Sequence, residues 1–429
     1  MNPAIHRHRR AGRPEGRRIG SALLSVAAAA LVLSAAGCAG SSPHPTGSPT
    51  GPSPTVAPSA TPAVPVSWGL AAVPIPAGST ASDLNAVACA GASDCWAVGS
   101  STVAGGGGAQ ALIEQNTGGG WAIVQAPAPT AGGSSQLESV TCATAGECWA
   151  TGFSTDGTGD QHTLIEEDTG GGWNDVSSPS PSGGGDVRLD AVTCAGAADC
   201  WAVGFSDAAG TIIEQYRGAT WSTVTSPTPP GGPGGVLSGV ACAGATDCWA
   251  VGNAYNSGGR QAPLIEHDTG SGWIIVSSPT PNGSPESVLN SVTCAGTSSC
   301  WAVGDTYDAA GAEVPLIERT TGGGWSIVPS LTPSNSVFDA VACAGAGDCW
   351  AAGFTSTTPG GTTFQSLIED YAQGAWSIVP APATPGGTDT ELDGIACVSA
   401  THCWAAGSSG DVSPTSGQAL LEQLQPAAA

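Results

Sequence analysis

The chain contains no lysine, and only four of its ten arginines lie beyond residue 18. Against 34 acidic residues this leaves a net charge of −24. A surface so anionic repels phosphate backbones, which excludes nucleic acid as a partner. Phenylalanine occurs five times, tyrosine four times and methionine once, so the usual large core-formers are scarce. The one long apolar run, Ile19 to Ala36, is slightly short for a stable membrane span. Histidine occurs six times, too scattered for a multi-histidine metal centre or a Ser-His-Asp arrangement. No cofactor and no metal is therefore expected.

Tryptophan, glycine and cysteine are what the chain has in quantity: 14, 64 and 15 residues. Fourteen of the cysteines form pairs six residues apart, at Cys89/Cys95, Cys142/Cys148, Cys194/Cys200, Cys242/Cys248, Cys294/Cys300, Cys343/Cys349 and Cys397/Cys403. Successive pairs are 53, 52, 48, 52, 49 and 54 residues apart. Around each pair runs L-x-x-V-x-C-x5-C-W-A-[VTA]-G, with small departures. A variable loop, L-I-E, a Gly-rich turn and a second Trp with apolar residues follow. Short strands repeating near every 50 residues predict a propeller or a similar array. The strands are apolar almost without alternation, as expected where both faces of a sheet are covered.

The ends choose the architecture. An orphan Trp68 strand precedes the first repeat, and the last repeat stops at Leu420, Leu421 and Glu422 without its Trp strand. A closed ring uses that arithmetic, because the two termini then share one blade and no sheet edge is left open. The expected fold is all-β, a seven-bladed β-propeller over residues 67–425, closed by the Trp68 strand, with a tail at 426–429.

The x5 spacing is not that of a zinc knuckle and no His accompanies the pairs, so seven disulfides are predicted, each at the neck of a hairpin. The seven tryptophans after the second cysteines and the seven that open the last strands are assigned to core packing.

The N-terminus predicts the compartment. Six arginines within residues 1–18 precede the apolar run, the pattern of a secretory signal. Arg17 and Arg18 match a twin-arginine signal poorly. The segment Ala35-Ala36-Gly37-Cys38 resembles a bacterial lipobox, with Ala35 where Leu is commonest. That resemblance implies cleavage after residue 37 and diacylglyceryl attachment at Cys38, the one cysteine outside the pairs. Cleavage there leaves four Arg against 33 acidic residues, a charge of −29. Residues 38–66, almost wholly Pro, Ser, Thr and Gly beyond the first two, read as a disordered tether. The protein is thus expected outside the cytoplasm, held to the outer leaflet through Cys38, or secreted if the lipobox is unused. It is expected to be monomeric.

The Gly-rich turns carry a family resemblance. Asp168, Gly170 and Trp173, and likewise Asp268, Gly270 and Trp273, match the spacing of the sialidase-type Asp-box (BNR) repeat. Asn116, Gly118 and Trp121 match it with Asn for Asp. Tyr216, Thr320 and Tyr371 replace the Asp elsewhere. The whole-blade plan, with its W-A-V-G strand, resembles photosystem II assembly-factor propellers. The resemblance implies that L-x-x-V-x-C lines the central channel and that the Trp strand is outermost. It further implies that disulfide hairpins and Asp-box turns share one face. The opposite face then carries the variable loops, where binding residues usually collect.

Sialidase chemistry needs three clustered arginines. Arg217 and Arg319 fall in Asp-box turns, Arg188 and Arg260 in opposite-face loops, so no triad is expected. His162, His267 and His402 are assigned to a loop, an Asp-box turn and a hairpin turn. Glu114, Glu166, Glu214, Glu266, Glu318, Glu369 and Glu422 form a ring by symmetry, read either as a cation ring or, as favoured here, as consensus residues supporting their own turns. The pair Asp156 and Asp160 has too few ligands for a Ca²⁺ site. The expected binding face comprises Phe153, Phe205, Tyr255, Asp305, Tyr307, Asp308 and Phe354, an aromatic and acidic rim suited to a protein or cell-wall glycan ligand. The alternative for the phenylalanines is that they cap the core between blades. The function expected is a non-catalytic, lipid-anchored interaction or assembly module of the cell envelope. A glycan-binding or glycan-cleaving propeller and a structural surface protein are the alternatives.

Overall fold

The computed structural model describes residues 66–105, 108–129, 133–179, 185–232, 234–256, 258–281, 284, 286–356, 363–384, 389–410 and 417–426. The expected signal sequence, Cys38, nearly all of the expected tether and the last three residues lie outside them.

These residues form seven four-stranded antiparallel sheets and no helix. Blade one runs through Ser79–Gly91, Asp94–Val103, Ala109–Asn116 and Trp121–Val124. Blades two to six repeat that order over residues 134–176, 187–224, 235–276, 287–327 and 336–379. Blade seven takes its inner three strands from Thr390–Ser399, His402–Ser409 and Gln418–Pro426, and its outermost from Val66–Leu70. Trp68 lies opposite Leu424 in that last pairing. The protein is a seven-bladed β-propeller.

First strands of neighbouring blades touch all round the ring, including those of blades one and seven. The L-x-x-V-x-C strand is therefore innermost and the Trp strand outermost. The core divides into seven apolar layers, each formed by the facing sides of two adjacent blades. Between blades three and four, for example, Trp201, Val203 and Ile213 meet Leu237, Val240, Ala250 and Leu264. Strands covered on both sides have no polar face, which is why their sequences do not alternate.

Each layer contains an edge-to-face tryptophan pair, joining the Trp after a second cysteine to the outer-strand Trp of the next blade. The centroids are 5.2 Å apart for Trp96–Trp173, 5.3 Å for Trp149–Trp221, 5.2 Å for Trp201–Trp273 and 5.3 Å for Trp249–Trp325. They are 5.2 Å apart for Trp301–Trp376, 5.5 Å for Trp350–Trp68 and 5.1 Å for Trp404–Trp121. Such pairs contribute about 0.5–1.5 kcal/mol beyond the area they bury.

All seven cysteine pairs are disulfides: Cys89–Cys95, Cys142–Cys148, Cys194–Cys200, Cys242–Cys248, Cys294–Cys300, Cys343–Cys349 and Cys397–Cys403. Each bridge joins cysteines directly opposite each other at the neck of a hairpin, as expected, and the two sulfurs sit in different surroundings. Only the first cysteine of each pair is half-buried. The second, Cys95, Cys148, Cys200, Cys248, Cys300, Cys349 or Cys403, is at most 1% exposed and packs within an apolar layer between blades. The reason is that the second strand of each sheet is covered by neighbouring blades on both sides. These seven are thus core residues, closed to solvent and ligand alike, and no part of a functional surface.

The turn the cysteines bracket also differs from expectation. In six blades the strands continue past the cysteines and close on a two-residue turn, as where Gly91 pairs with Asp94, and a β-bulge absorbs the surplus residue. Only in blade five do the strands stop at Cys294 and Cys300.

A second bulge recurs in every innermost strand, at the residue after the consensus Leu or Phe. It brings the backbone against the second strand. A Cβ on Gly252 would lie 2.0 Å from the Val236 carbonyl oxygen, and the same clash arises at all seven W-A-x-G glycines. The glycine that ends the motif is thus a steric requirement of the bulge.

Candidate binding site at the propeller mouth

At one end of the ring the innermost strands begin and the second strands end. The residue following each W-A-x-G glycine lies directly opposite the residue preceding the consensus Leu or Phe. From blade one to seven these pairs are Ser100/Asp83, Phe153/Gln136, Phe205/Arg188, Asn253/Val236, Asp305/Val288, Phe354/Val337 and Ser408/Glu391. Seven equivalent places carry seven different pairs, whereas the cysteines, glycines and tryptophans around them repeat.

Next to these pairs stand the bulge residues, every one of them polar: Asn85, Glu138, Asp190, Ser238, Asn290, Asp339 and Asp393. They interact along the ring. Asn85 Nδ2 donates to the Leu137 carbonyl of blade two at 2.7 Å, and Asn290 Nδ2 donates to the Phe338 carbonyl of blade six at 3.0 Å. Arg188 Nε is 2.7 Å from Asp190 Oδ1, and its guanidinium carbon lies 4.6 Å from the Phe205 ring centre. Burial pushes the Asp190 carboxyl up to about 7; the Arg188 charge opposes this and Glu138 adds to it. Among the described residues the innermost strands carry six carboxylates and one base, Arg188.

Of the residues expected at the binding face, Phe153, Phe205, Asp305 and Phe354 occupy that equivalent ring position. Phe153 and Phe205 are half-buried, whereas Phe354 is buried and packs edge-to-face on Phe364 at 5.2 Å. Phe354 therefore serves packing. Asp305 is also buried. Tyr255 and Tyr307 end their second strands one turn of the pleat further out, half-buried, with Tyr307 Oη donating to Glu313 Oε1 at 3.4 Å. Asp308 shapes its own turn, its Oδ1 accepting from the Ala310 and Ala312 amides at 2.8 and 2.9 Å. Asp156 does the same with the amides of Thr158, Gly159 and Asp160, and its Oδ2 meets His162 Nε2 at 3.0 Å.

The inner-strand acids and Arg188 lie outside the expected set. For Glu138, Asp190, Asp339 and Asp393 the signal in the sequence is the polar residue that follows the consensus Leu or Phe in all seven repeats. Asp83, Arg188 and Glu391 precede the consensus Leu, where no pattern marks them. Arg188 in particular lies on an innermost strand, not in a loop, because the strand begins at Val187. His162 and His267 likewise sit on third strands, and His402 opens a second strand. The four arginines do not gather. Arg319 lies over the Trp301 ring at 4.7 Å and donates to Tyr371 Oη at 3.0 Å, while Arg217 reaches Asp199 at 3.4 Å on the disulfide side.

The disulfide side holds the Asp-box-like turns. Asp168 Oδ1 accepts from the Gly170 and Gly172 amides at 3.0 and 2.9 Å, and Asp268 Oδ1 does so from Gly270 and Gly272 at 3.0 and 3.1 Å. Asn116 Oδ1 and Thr320 Oγ1 each accept from the glycine two residues on. Blades three and six replace this turn by two residues of positive φ, Gly218-Ala219 and Gln373-Gly374, preceded by Tyr216 and Tyr371, whose rings lie tilted against Trp221 and Trp376.

The glutamates of L-I-E do not support their own turns. All seven are at most 1% exposed, buried between blades. Four accept hydrogen bonds from a serine in the Pro-rich return of the preceding blade. Ser178 Oγ donates to Glu214 at 3.0 and 3.1 Å, Ser226 to Glu266 at 3.0 and 3.1 Å, Ser278 to Glu318 at 2.7 Å and Ser330 to Glu369 at 2.9 Å. Burial pushes Glu114 and Glu166 up to about 8, and Glu214, Glu266, Glu318 and Glu422 up to about 7.

No protein-family model matches the chain, and no curated protein does. Solved propellers do. A structure of YCF48 bound to D1 peptide is 12% identical over 86% of this chain and 99% of that one, with a TM-score of 0.53. The GH74 xyloglucanase from Xanthomonas campestris is 15% identical over 83% of this chain and 55% of that one, with a TM-score of 0.50. A sialidase from Trypanosoma rangeli aligns at 10% identity over 80% of this chain and 55% of that one, with a TM-score of 0.45. The similarity is one of fold, and it reaches both a peptide-bound propeller and a xyloglucanase. The seven disulfides point to an oxidising, extracytoplasmic environment. Among the described residues no helix is long and apolar enough to cross a membrane.

Proposed function

We propose that the protein is a non-catalytic binding module of the cell envelope, tethered through Cys38, which holds one asymmetric protein segment at the mouth of its propeller. The observation that carries this is the ring of seven unlike pairs set in an otherwise repetitive scaffold. A purely structural ring would be served by the same pair seven times. A ligand lying across the axis meets the half-buried members of the ring, Asp83 on one side, Arg188 and Phe205 on another, and Val288 on a third. Such a surface selects by differences in charge and apolarity around a circle. YCF48, of similar fold, was solved with a peptide bound, which supports a peptide as the kind of ligand.

A photo-crosslinking residue at position 205 or 408, in the full chain on living cells, should capture one recurrent protein. The same residue at position 217, on the disulfide side, should not. Equal capture from both ends, or capture that survives Arg188→Ala with Phe205→Ala, would defeat the proposal.

Glycan binding or cleavage is the second reading, favoured by the Asp-box turns and the xyloglucanase likeness. The hydrogen bonds that Asp308 makes to its own turn weigh against it as a catalytic acid. A screen against cell-wall polysaccharides with Asp305→Asn and Asp308→Asn separates the cases. Cleavage abolished by either change would establish an enzyme.

A further inference from the structure

The serine–glutamate contact joins each blade to the one before it, yet among the described residues only four of the seven contacts exist. The place of the serine, five residues after the outer-strand Trp, is taken by Ala126 ahead of Glu166, by Ala381 ahead of Glu422 and by Val73 ahead of Glu114. All three substitutes pack in the corresponding layers, Ala126 between blades one and two, Ala381 between six and seven, Val73 between seven and one. Both carboxylate oxygens of Glu114 and of Glu422, and Oε2 of Glu166, are buried without a hydrogen-bond partner. Oε2 of the latched Glu318 and Glu369 is too, but there the other oxygen accepts from the serine. The three unlatched interfaces are consecutive, and they flank blade seven and blade one, where the first and last strands of the ring meet.

The interface of blades six and seven shows what is missing. In blades two and three a hydroxyl on the third strand completes a chain. Ser178 Oγ, which donates to Glu214, lies 2.7 Å from Thr163 Oγ1 and can accept from it, and Thr211 and Ser226 meet at 2.7 Å. At the equivalent place in blade six Ser366 stands beside Glu422, its hydroxyl near enough to oppose the rise in the Glu422 pKa yet outside hydrogen-bonding geometry. Ala381, in the serine's place in the return, brings no hydroxyl to either.

We propose that these three interfaces form a weak arc through which the propeller opens when their buried glutamates ionise, while the four latched interfaces stay closed. A carboxylate placed between two sheets without a donor has nothing to replace its hydration. Separation of the blades restores water to it. At the latched interfaces a hydroxyl already serves the charge. The groups that act on the three are few: burial alone on Glu114, burial and then Asp175 on Glu166, and burial opposed by the nearby Ser366 hydroxyl on Glu422. All three are held protonated at acid pH, so the arc is closed in acid and loosens toward alkaline pH.

Amide hydrogen exchange of the full chain at pH 6 and pH 8.5, corrected for intrinsic rates, tests this. Third strands Ala109–Asn116, Gln161–Asp168 and Gln418–Pro426 should lose protection by about tenfold per pH unit for each proton released. Gln261–Asp268 and Glu313–Thr320, whose glutamates are latched, should lose distinctly less. In the variant Ala126→Ser with Ala381→Ser, Gln161–Asp168 and Gln418–Pro426 should keep their protection at pH 8.5 while Ala109–Asn116 still loses it. Equal loss in all seven third strands, or loss confined to the latched ones, would overturn the proposal for the native chain. A folded variant with unchanged exchange in blades two and seven would overturn the role given to the serine.

Discussion

At the scale of single residues, backbone geometry rather than side-chain chemistry explains most of the consensus. Gly252 is required because Val236 approaches it at a bulge, whereas Gly91 has open space around it and a negative φ. Gly252→Ala is expected to cost about 3 kcal/mol or more, as forced overpacking does, and Gly91→Ala well under about 1 kcal/mol. Thermal unfolding followed by tryptophan fluorescence would compare the two. Ala219 sits at φ 74° in a two-residue turn, a conformation that L side chains adopt at a cost. Ala219→Gly should therefore raise stability, by about 0.5 kcal/mol after the added freedom of the unfolded chain is subtracted. The repeats already distinguish the two glycines, since every repeat keeps the one at Gly252 while Thr144 and Ser399 stand at the place of Gly91. The reason lies in the approach of a neighbouring strand, and the φ of Ala219 shows only in the folded turn.

At the scale of the strand pair, the cysteines were legible and the turn between them was not. Six-residue spacing sufficed to place each pair across a hairpin. It did not reveal that the hairpin closes on two residues with a bulge, since bulge and five-residue loop consume the same number of residues. Nor did it separate the half-buried Cys242 from the fully buried Cys248, because only the packing of one blade on the next distinguishes them. In the chain-entropy model a bridge over so short a loop adds about 2 kcal/mol. Replacing Cys242 and Cys248 together by serine should lower stability by at least that amount, since one serine hydroxyl is then buried, and leave the other blades' exchange rates unchanged. Reduction of the intact protein should add 14 hydrogens to its mass, two for each of the seven bridges.

At the scale of the whole ring, buried acid sets the response to pH. Glu114 and Glu166 are raised to about 8, and Glu214, Glu266, Glu318 and Glu422 to about 7, against 4.5 for a free glutamate. Between those limits the folded protein binds more protons than the unfolded chain, so stability is greatest at the acid end and falls as pH rises across the window. The melting temperature should accordingly be higher at pH 5 than at pH 8.5, the reverse of a protein held together by carboxylate ion pairs. Glu266→Gln and Glu318→Gln should flatten that slope.

From the sequence alone follow the seven-fold repeat, the strand content, the disulfide pairing and the likeness to the Asp-box turn, because each is written in residues close together along the chain. The partition of the cysteines and tryptophans into sevens already implied a ring. What only the tertiary structure decided is which repeats meet, and what their differences do. The glutamate latch joins residues about 40 positions apart in adjacent blades, and its absence at three interfaces lies in an alanine or valine that looks ordinary within its own repeat. The mouth is similar: Asp83 and Glu391 are far apart in sequence and come to lie on adjacent innermost strands only because the ring closes blade seven on blade one.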